Sequence, residues 1–206
     1  MLRIKNIPIQ KHVRVFSSGN IKTANEVWLL FHGYGQDIET FFEPFKQLNS
    51  KSAFIIPEGI SRFYQKGING KVGASWMTSE NRELEILDQY NYLNQVFKEY
   101  ELIKKKINIF GFSQGAPVAA RWIEEFQIKV NRLIFWSGNI PESIANNLTG
   151  SVNLQKPEFY IGKKDRFVSL DIWMNFFEKH SHFKPVFHEG NHFFTDEELT
   201  DFIFNL

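Results

Sequence analysis

Runs of consecutive apolar residues recur along the chain, and each is short enough to form a β-strand. They are rich in Val, Ile, Leu and Phe and lie at residues 13–16, 27–31, 53–57, 107–112, 132–136, 158–161 and 186–188. Several are apolar at consecutive positions, which is expected of strands that are covered on both faces. The pattern therefore predicts a buried and mostly parallel sheet.

Helical periodicity separates most of these strands. In the longest predicted helix, 79–100, apolar residues recur at three- and four-residue spacing. Further helices are predicted at 39–48, 113–126, 169–179 and 196–204. Thr195 and Glu198 form a capping box at the start of the last one. The alternation of strands and helices predicts an α/β fold, with a doubly wound sheet flanked by helices in a single domain spanning 1–206.

The segment 59–78 interrupts this alternation. It carries four glycines among aromatic and basic residues, and its pattern predicts irregular structure. Irregular connections of about twenty residues within a compact domain are usually functional or mobile. We therefore expect this segment to border a binding site.

Composition narrows the class of partner. The 206 residues include 24 Lys and Arg against 23 Asp and Glu, so no strong field attracts nucleic acid or an anionic membrane. Cysteine is absent, which excludes disulfides, thiolate catalysis and cysteine-ligated metals. No apolar run is long enough to cross a bilayer, and residues 1–16 lack the apolar stretch of a signal peptide. These features predict a cytoplasmic protein that acts on a small molecule.

The most informative motif is Gly111-Phe-Ser113-Gln-Gly115, between a predicted strand and a predicted helix. The motif alone is weak, but the strand-turn-helix context is that of the nucleophile elbow of α/β-hydrolases. A strained turn places the serine hydroxyl above the sheet, and the two glycines leave room for that turn. Ser113 is therefore a candidate nucleophile. The alternative is a serine that only caps the helix.

A serine nucleophile requires a histidine base and an acid that orients this base. In this fold the order along the chain is Ser, then Asp or Glu, then His. Of the downstream histidines, His180 and His182 are expected to be exposed at a polar helix end, and His188 belongs to the last strand. His192 follows that strand, at the sheet edge where sites of open α/β sheets form. We predict that His192 is the base.

Asp165 is the candidate acid, because it follows an apolar strand and precedes a helix at the same edge of the sheet. Asp171 is expected to face solvent in the next helix. Glu142 lies in a loop and is expected to be solvated, and Glu189 is the second choice. The order Ser113, Asp165 and His192 then matches the order that this fold uses.

A glycine-rich turn, Phe31-His-Gly-Tyr-Gly35, follows the strand at 27–31. In α/β-hydrolases a loop at this place supplies one backbone amide to the oxyanion hole, and the residue after the nucleophile supplies the other. We assign these two amides to Tyr34 and Gln114. Each such donor is worth about a hundredfold or more in turnover.

These features together resemble the phospholipase/carboxylesterase family of α/β-hydrolases, which includes bacterial carboxylesterases and acyl-protein thioesterases. The resemblance covers nearly the whole chain. Its motifs are Phe31-His-Gly-Tyr-Gly, Pro57-Glu-Gly, Trp76, Gly111-Phe-Ser-Gln-Gly-Ala, Gly162-x-x-Asp165-x-x-Val168 and Gly190-Asn-His192. The resemblance implies a triad of Ser113, Asp165 and His192, no cofactor, and hydrolysis of a carboxylic ester or thioester.

The departures from the family pattern fall where the substrate is selected. Ile161 stands in place of a frequent histidine, and Ser169 stands in place of a common proline. Trp76, Met77 and Phe193 are the candidates for contact with the substrate. For each of them, packing in an aromatic core is the alternative.

The spacing of His32, His188 and His192 matches no recognisable metal motif, so we predict no metal. The sequence thus predicts a serine hydrolase that cleaves esters or thioesters through an acyl-enzyme on Ser113. Within enzymes, the alternatives are a deacetylase, a lipase or a lysophospholipase, whereas dienelactone-type hydrolases normally use a cysteine. From another class, the alternative is a noncatalytic ligand-binding protein with the same fold.

Overall fold

The computed structural model describes residues 2–48, 52–148 and 156–204. Within these residues the strands are β1 (Val15–Ser18), β2 (Glu26–Phe31), β3 (Ala53–Pro57), β4 (Ser61–Lys66), β5 (Asn69–Ser75), β6 (Lys106–Phe112), β7 (Arg132–Trp136), β8 (Glu158–Gly162) and β9 (Lys184–His188). A seven-stranded sheet has the order β1-β3-β2-β6-β7-β8-β9. β1 is antiparallel to β3, and the other neighbours are parallel. The prediction of a mostly parallel sheet is confirmed.

Helices connect the parallel strands. They are α1 (Ile38–Phe42), α2 (Arg82–Glu99), α3 (Gly115–Phe126), α4 (Glu142–Ala145), α5 (Leu170–Lys179) and α6 (Asp196–Leu199). Short 3-10 helices span Glu43–Leu48 and Leu102–Lys104, and a π-helical turn spans Thr200–Phe204. Within the described ranges, no helix combines the length and the apolar character needed to cross a bilayer.

The sheet is covered on both faces, as the consecutive apolar runs predict. In β2, Val27, Leu29 and Phe31 pack into the larger apolar cluster, on one side of the sheet. Trp28 and Leu30 alternate with them and pack into a second cluster on the other side. All five side chains are buried, so the strand has no polar face.

Two predicted helices are shorter than their patterns indicate. The helix predicted at 39–48 ends at Phe42 and continues as a 3-10 helix, because Pro44 has no backbone N–H to donate within an α-helix. The helix predicted at 196–204 is α-helical only over α6 and then widens into the π-helical turn. Its capping box is present: the Thr195 hydroxyl accepts from the Glu198 amide, and the Glu198 carboxylate accepts from the Thr195 amide.

The prediction of irregular structure at 59–78 is wrong. Most of this segment is an antiparallel hairpin of β4 and β5, which pair from Ser61 with Ser75 to Lys66 with Asn69. The hairpin binds the loop after β2, where the Gly35 amide donates to the Ala74 carbonyl at 2.8 Å. Gly73 allows this approach, since a Cβ there would lie 2.0 Å from the Gly35 carbonyl oxygen.

Candidate active site

Ser113 occupies the turn between β6 and α3. Its φ of 50° lies in the left-handed region, which is strained for a residue with a side chain. The Ser113 amide donates to the Trp136 carbonyl at 2.9 Å, and the Ser113 carbonyl accepts from the Ala116 amide at 3.1 Å. These backbone bonds, to β7 on one side and to the first turn of α3 on the other, hold the serine in this conformation.

The glycines of the motif permit close packing around the turn. A Cβ on Gly115 would lie 2.2 Å from the Phe31 carbonyl oxygen, and a Cβ on Gly111 would lie 2.8 Å from the Cα of Ala116. Both distances are too short for a real side chain. Helix α3 can therefore begin directly against the loop that leaves β2.

Asp165 and His192 reach Ser113 from the ends of two strands that neighbour each other in the sheet. Asp165 follows β8 and His192 follows β9, and these strands pair in parallel. His192 Nε2 lies 3.0 Å from Ser113 Oγ, and His192 Nδ1 lies 2.8 Å from Asp165 Oδ2. When Nδ1 carries the ring proton, it donates a hydrogen bond to the Asp165 carboxylate. Nε2 is then unprotonated and can accept a hydrogen bond from the serine hydroxyl. The structure thus brings all three predicted residues into one hydrogen-bonded chain.

The surroundings of Asp165 and His192 limit solvent and fix their orientation. The Asp165 side chain is fully buried, and the His192 side chain is 10 % exposed. The second carboxylate oxygen of Asp165 accepts from the backbone amide of Phe167 at 2.7 Å. Glu189, the second choice as acid, instead forms an exposed ion pair with Lys163.

The loop after β2 and the start of α3 lie at the same edge of the sheet, because Phe31 pairs with Gly111 in register. Within the described chain, neither the Tyr34 amide nor the Gln114 amide donates a hydrogen bond. The loop itself is closed by the Gln36 side chain, whose Oε1 accepts from the Gly33 amide at 2.7 Å. Both amides therefore lie at the edge of the sheet that carries Ser113, without an acceptor among the described residues.

His32 has a structural position that the sequence pattern did not reveal. It is buried, its Nδ1 donates to the Gly33 carbonyl at 2.7 Å, and its Nε2 accepts from the Gly59 amide at 2.9 Å. Burial lowers the pKa of His32 to about 4. The Trp76 indole stacks on this imidazole at 5.0 Å and donates from Nε1 to the His32 carbonyl at 3.0 Å. The neutral imidazole thereby joins the loop after β2 to Gly59.

The Gln114 side chain binds the strand end that carries two of the predicted substrate contacts. Its Oε1 accepts from the Trp76 amide at 3.0 Å, and its Nε2 donates to the Met77 carbonyl at 2.8 Å. The side chains of Trp76 and Met77 are buried in the larger apolar cluster. Their position is that of core residues that support the turn, which is the alternative considered for them.

A cavity of about 340 Å³ opens beside His192 and is lined by Lys164, Arg166, Phe167, Asn191, His192 and Phe193. Phe193, the third predicted substrate contact, is 57 % exposed here. Phe167 is 74 % exposed, and the centroid of its ring lies 4.6 Å from that of His192. Phe167 was not among the residues predicted to contact the substrate, although its place two residues after Asp165 would have indicated it.

The other downstream histidines lie away from this chain of hydrogen bonds. His180 is buried, so the expectation that it is exposed is wrong; its ring packs against Phe176 at 4.7 Å. His188 ends β9 as predicted, and its Nδ1 lies 2.8 Å from Glu198 Oε1. Among the residues that the structure covers, no group of three side chains is arranged to hold a metal ion.

The parallel sheet, the strained serine turn and the residues at the ends of β8 and β9 define an α/β-hydrolase. The chain belongs to the phospholipase/carboxylesterase family, which it matches over residues 12–201. Membership of this hydrolase family implies a small-molecule substrate. No protein with a curated description matches the chain in sequence.

Solved structures with the same fold include three that are described as carboxylesterases. A phospholipase/carboxylesterase from Dyadobacter fermentans is 16 % identical, with a TM-score of 0.65 over 97 % of this chain and 100 % of that chain. The carboxylesterase of Bacillus cereus is 17 % identical, with a TM-score of 0.60 over 92 % and 91 %. A carboxylesterase structure from Nitrososphaera gargenis is 13 % identical, with a TM-score of 0.67 over 94 % and 93 %. At sequence identities this low, the similarity shows that these proteins share the fold.

Proposed function

We propose that this protein is a serine esterase that hydrolyses carboxylic esters or thioesters through an acyl-enzyme on Ser113. The observation that carries the proposal is the continuous chain of hydrogen bonds from Asp165 through His192 to the Ser113 hydroxyl. A nucleophile, a base and an acid in this arrangement are the requirements for acyl transfer by a serine.

In the first half of the reaction, Ser113 Oγ attacks the carbonyl carbon while His192 Nε2 takes the hydroxyl proton. The tetrahedral intermediate collapses, the bond to the alcohol or thiol breaks, and His192 returns the proton to that leaving group. Asp165 holds the imidazole in the required tautomer and stabilises its positive charge. The product of this half is an ester between the acyl group and Ser113.

In the second half, water attacks the acyl-enzyme and gives its proton to His192 Nε2. The bond to Ser113 Oγ then breaks, the serine recovers the proton, and the carboxylic acid leaves. Negative charge develops on the carbonyl oxygen in both halves. The Tyr34 and Gln114 amides are the proposed donors to that oxygen, and the absence of another acceptor for them in the described chain supports this role.

The cavity beside His192 supports an apolar contact with the substrate. Phe193 and Phe167 are exposed and both rings pack against the His192 imidazole, where an acyl chain or an alcohol group would reach them. Trp76 and Met77 act on the substrate only through the turn that they support. The hydrogen bonds of the Gln114 side chain to both residues are the basis for this assignment.

Turnover of 4-nitrophenyl butyrate and covalent labelling by a fluorophosphonate probe test the proposal. Ser113→Ala is expected to lose both, and the labelled peptide of the wild type should contain Ser113. Ser137→Ala is the matched control, since Ser137 is a buried serine with a similar φ of 49° at the end of β7. Full turnover by Ser113→Ala, or no labelling of the wild type, would contradict the proposal and favour the noncatalytic alternative.

A further inference from the structure

A second cavity, of about 540 Å³, lies between the starts of α2 and α3 and the loop after β7. Its lining includes Arg82, Pro117, Arg121, Asn139 and Ser143. Two arginines, an amide and a hydroxyl thus converge on one space. All of these groups can donate hydrogen bonds, and none of them is acidic.

Arg121 is the central residue of this cavity, because its charge is buried. The residue is only 8 % exposed. Its Nη1 donates to the Pro117 carbonyl at 3.2 Å and lies 3.9 Å from the Met77 sulfur, and both of these acceptors are neutral. A buried charge without a counter-charge is costly, and buried arginines are normally paired.

No carboxylate of the described residues forms an ion pair with Arg121. The residues outside the described ranges contain no Asp or Glu side chain. The side chains of this protein therefore leave the charge of Arg121 uncompensated. An anion bound in the cavity would neutralise this charge.

Arg82, at the start of α2, increases the positive potential of the cavity. It is exposed and, in the part of the chain that the structure covers, it has no ion-pair partner either. Burial lowers the pKa of Arg121, and the charge of Arg82 lowers it further, so the two guanidinium groups repel each other. An oxyanion between them would remove this repulsion and accept paired hydrogen bonds, the geometry for which guanidinium groups are suited.

The cavity is adjacent to the candidate nucleophile. Pro117 is the third residue of α3 and lies four residues after Ser113 in the chain. Asn139 follows Gly138, and a Cβ on Gly138 would lie 2.6 Å from the Ser113 carbonyl oxygen. Residues that line the cavity therefore adjoin the backbone of the serine turn from α3 and from the loop after β7.

We propose that Arg121 and Arg82 bind a carboxylate or phosphate group of the substrate, so that the enzyme prefers esters with an anionic group a few atoms from the scissile carbonyl. This inference rests on the proposed function, because it assigns one end of a substrate whose carbonyl lies at Ser113. Asn139 and Ser143 supply neutral donors at the edge of the same cavity.

The test compares 4-nitrophenyl monoesters of succinate, glutarate and adipate with the neutral esters of butyrate, pentanoate and hexanoate. The quantity measured is the ratio of kcat/KM between each anionic ester and its neutral counterpart. We expect this ratio to exceed one for at least one chain length in the wild type. Arg82→Gln should lower it about fivefold and Arg121→Gln about tenfold or more, as expected for loss of a charge-assisted hydrogen bond.

Lys98→Gln is the matched control, since it removes one positive charge from the other end of α2 and should leave the ratio unchanged. Arg82 is exposed, so its variant tests the site even where Arg121→Gln does not fold. A ratio that does not change in a folded Arg82→Gln variant, or a wild type without preference for any anionic ester, would overturn the proposal.

Binding of inorganic phosphate provides a readout that is independent of catalysis. Phosphate should raise the Tm of the wild type and of Lys98→Gln more than that of Arg82→Gln. If no ester is hydrolysed, the proposed function fails, and a selective phosphate effect still supports the anion site. Phosphate binding without any preference between the esters would overturn the assignment to a substrate group and indicate a free anion instead.

Discussion

The indole nitrogen of Trp76 donates a hydrogen bond of 3.0 Å to the carbonyl oxygen of His32. Both residues are buried, so this bond joins the end of β5 to the loop after β2 in a place that water does not reach. The loop carries the Tyr34 amide. The bond is therefore expected to stabilise the fold and to position the proposed oxyanion donor.

Trp76→Phe removes this bond and leaves the His32 carbonyl without its partner. We expect the free energy of unfolding to fall by about 1 to 3 kcal/mol beyond the loss of packing, measured by urea denaturation. Trp173→Phe is the control, because the Trp173 indole is also buried but its nitrogen has no partner in the described chain. Equal destabilisation by the two substitutions would show that the bond contributes nothing.

Gly115→Ala should disrupt the contact between α3 and the loop after β2. The added methyl group would lie 2.2 Å from the Phe31 carbonyl oxygen, so the helix or the loop must move. We expect a loss of about 1 to 3 kcal/mol in stability, together with a large loss of esterase turnover. Gly67→Ala, at the tip of the hairpin with nothing within 4 Å, should retain turnover. Normal turnover in Gly115→Ala would refute the requirement for this contact.

Asp165→Asn should reduce kcat by two to four orders of magnitude while the protein remains folded. The amide cannot hold His192 in the tautomer that accepts the serine proton, and in a well-studied protease triad the same change costs about ten-thousandfold. Glu189→Gln is the control: this carboxylate is exposed and paired with Lys163, so kcat should stay at the wild-type value. A large loss of kcat in Glu189→Gln together with a normal kcat in Asp165→Asn would show that Glu189 is the acid.

The buried His32 predicts how stability depends on pH. Its pKa is about 4 in the folded protein and about 6.5 in an unfolded chain. Between these values the unfolded chain binds a proton that the folded protein does not. The free energy of unfolding should therefore fall by up to about 3 kcal/mol as the pH is lowered from about 6.5 to about 4.

The His32→Asn variant separates this effect from other titrations, including that of His180, whose pKa burial also lowers. The fall in unfolding free energy between pH 7 and pH 5 should be smaller in His32→Asn than in the wild type, as measured by urea denaturation at each pH. The same fall in both proteins would exclude His32 as its source.

The sequence was sufficient to predict the buried strands and the residues that lie at their ends. A strand covered on both faces leaves a continuous apolar run, and the turns after β6, β8 and β9 carry Ser113, Asp165 and His192 at one edge of the sheet. Chain order then predicted which side chains meet. The distances between these side chains depend on the register of the strands and on the path of the backbone. The periodicity of apolar residues carries no information on either.

The hairpin at 61–75 was missed because its strands have little apolar pattern. Most of their residues are exposed, and the glycines favoured an interpretation as loops. Its order comes from pairing within the hairpin and with the loop after β2, contacts that no local pattern reports. The burial of His180 was missed for a similar reason, since an aromatic neighbour, Phe176, covers a histidine at a helix end that is otherwise polar.

The left-handed backbone conformation of Ser113 lowers the stability of the protein, although the reaction requires a serine at this position. Glycine adopts this conformation without the cost of about 1 kcal/mol or more that a side chain carries, yet glycine has no hydroxyl. Selection for thermal stability alone would therefore favour glycine at position 113, and the resulting protein would have no nucleophile. A programme of directed evolution on this chain needs an activity screen in every round, because a screen for folding alone would reward replacement of the residue that performs the reaction.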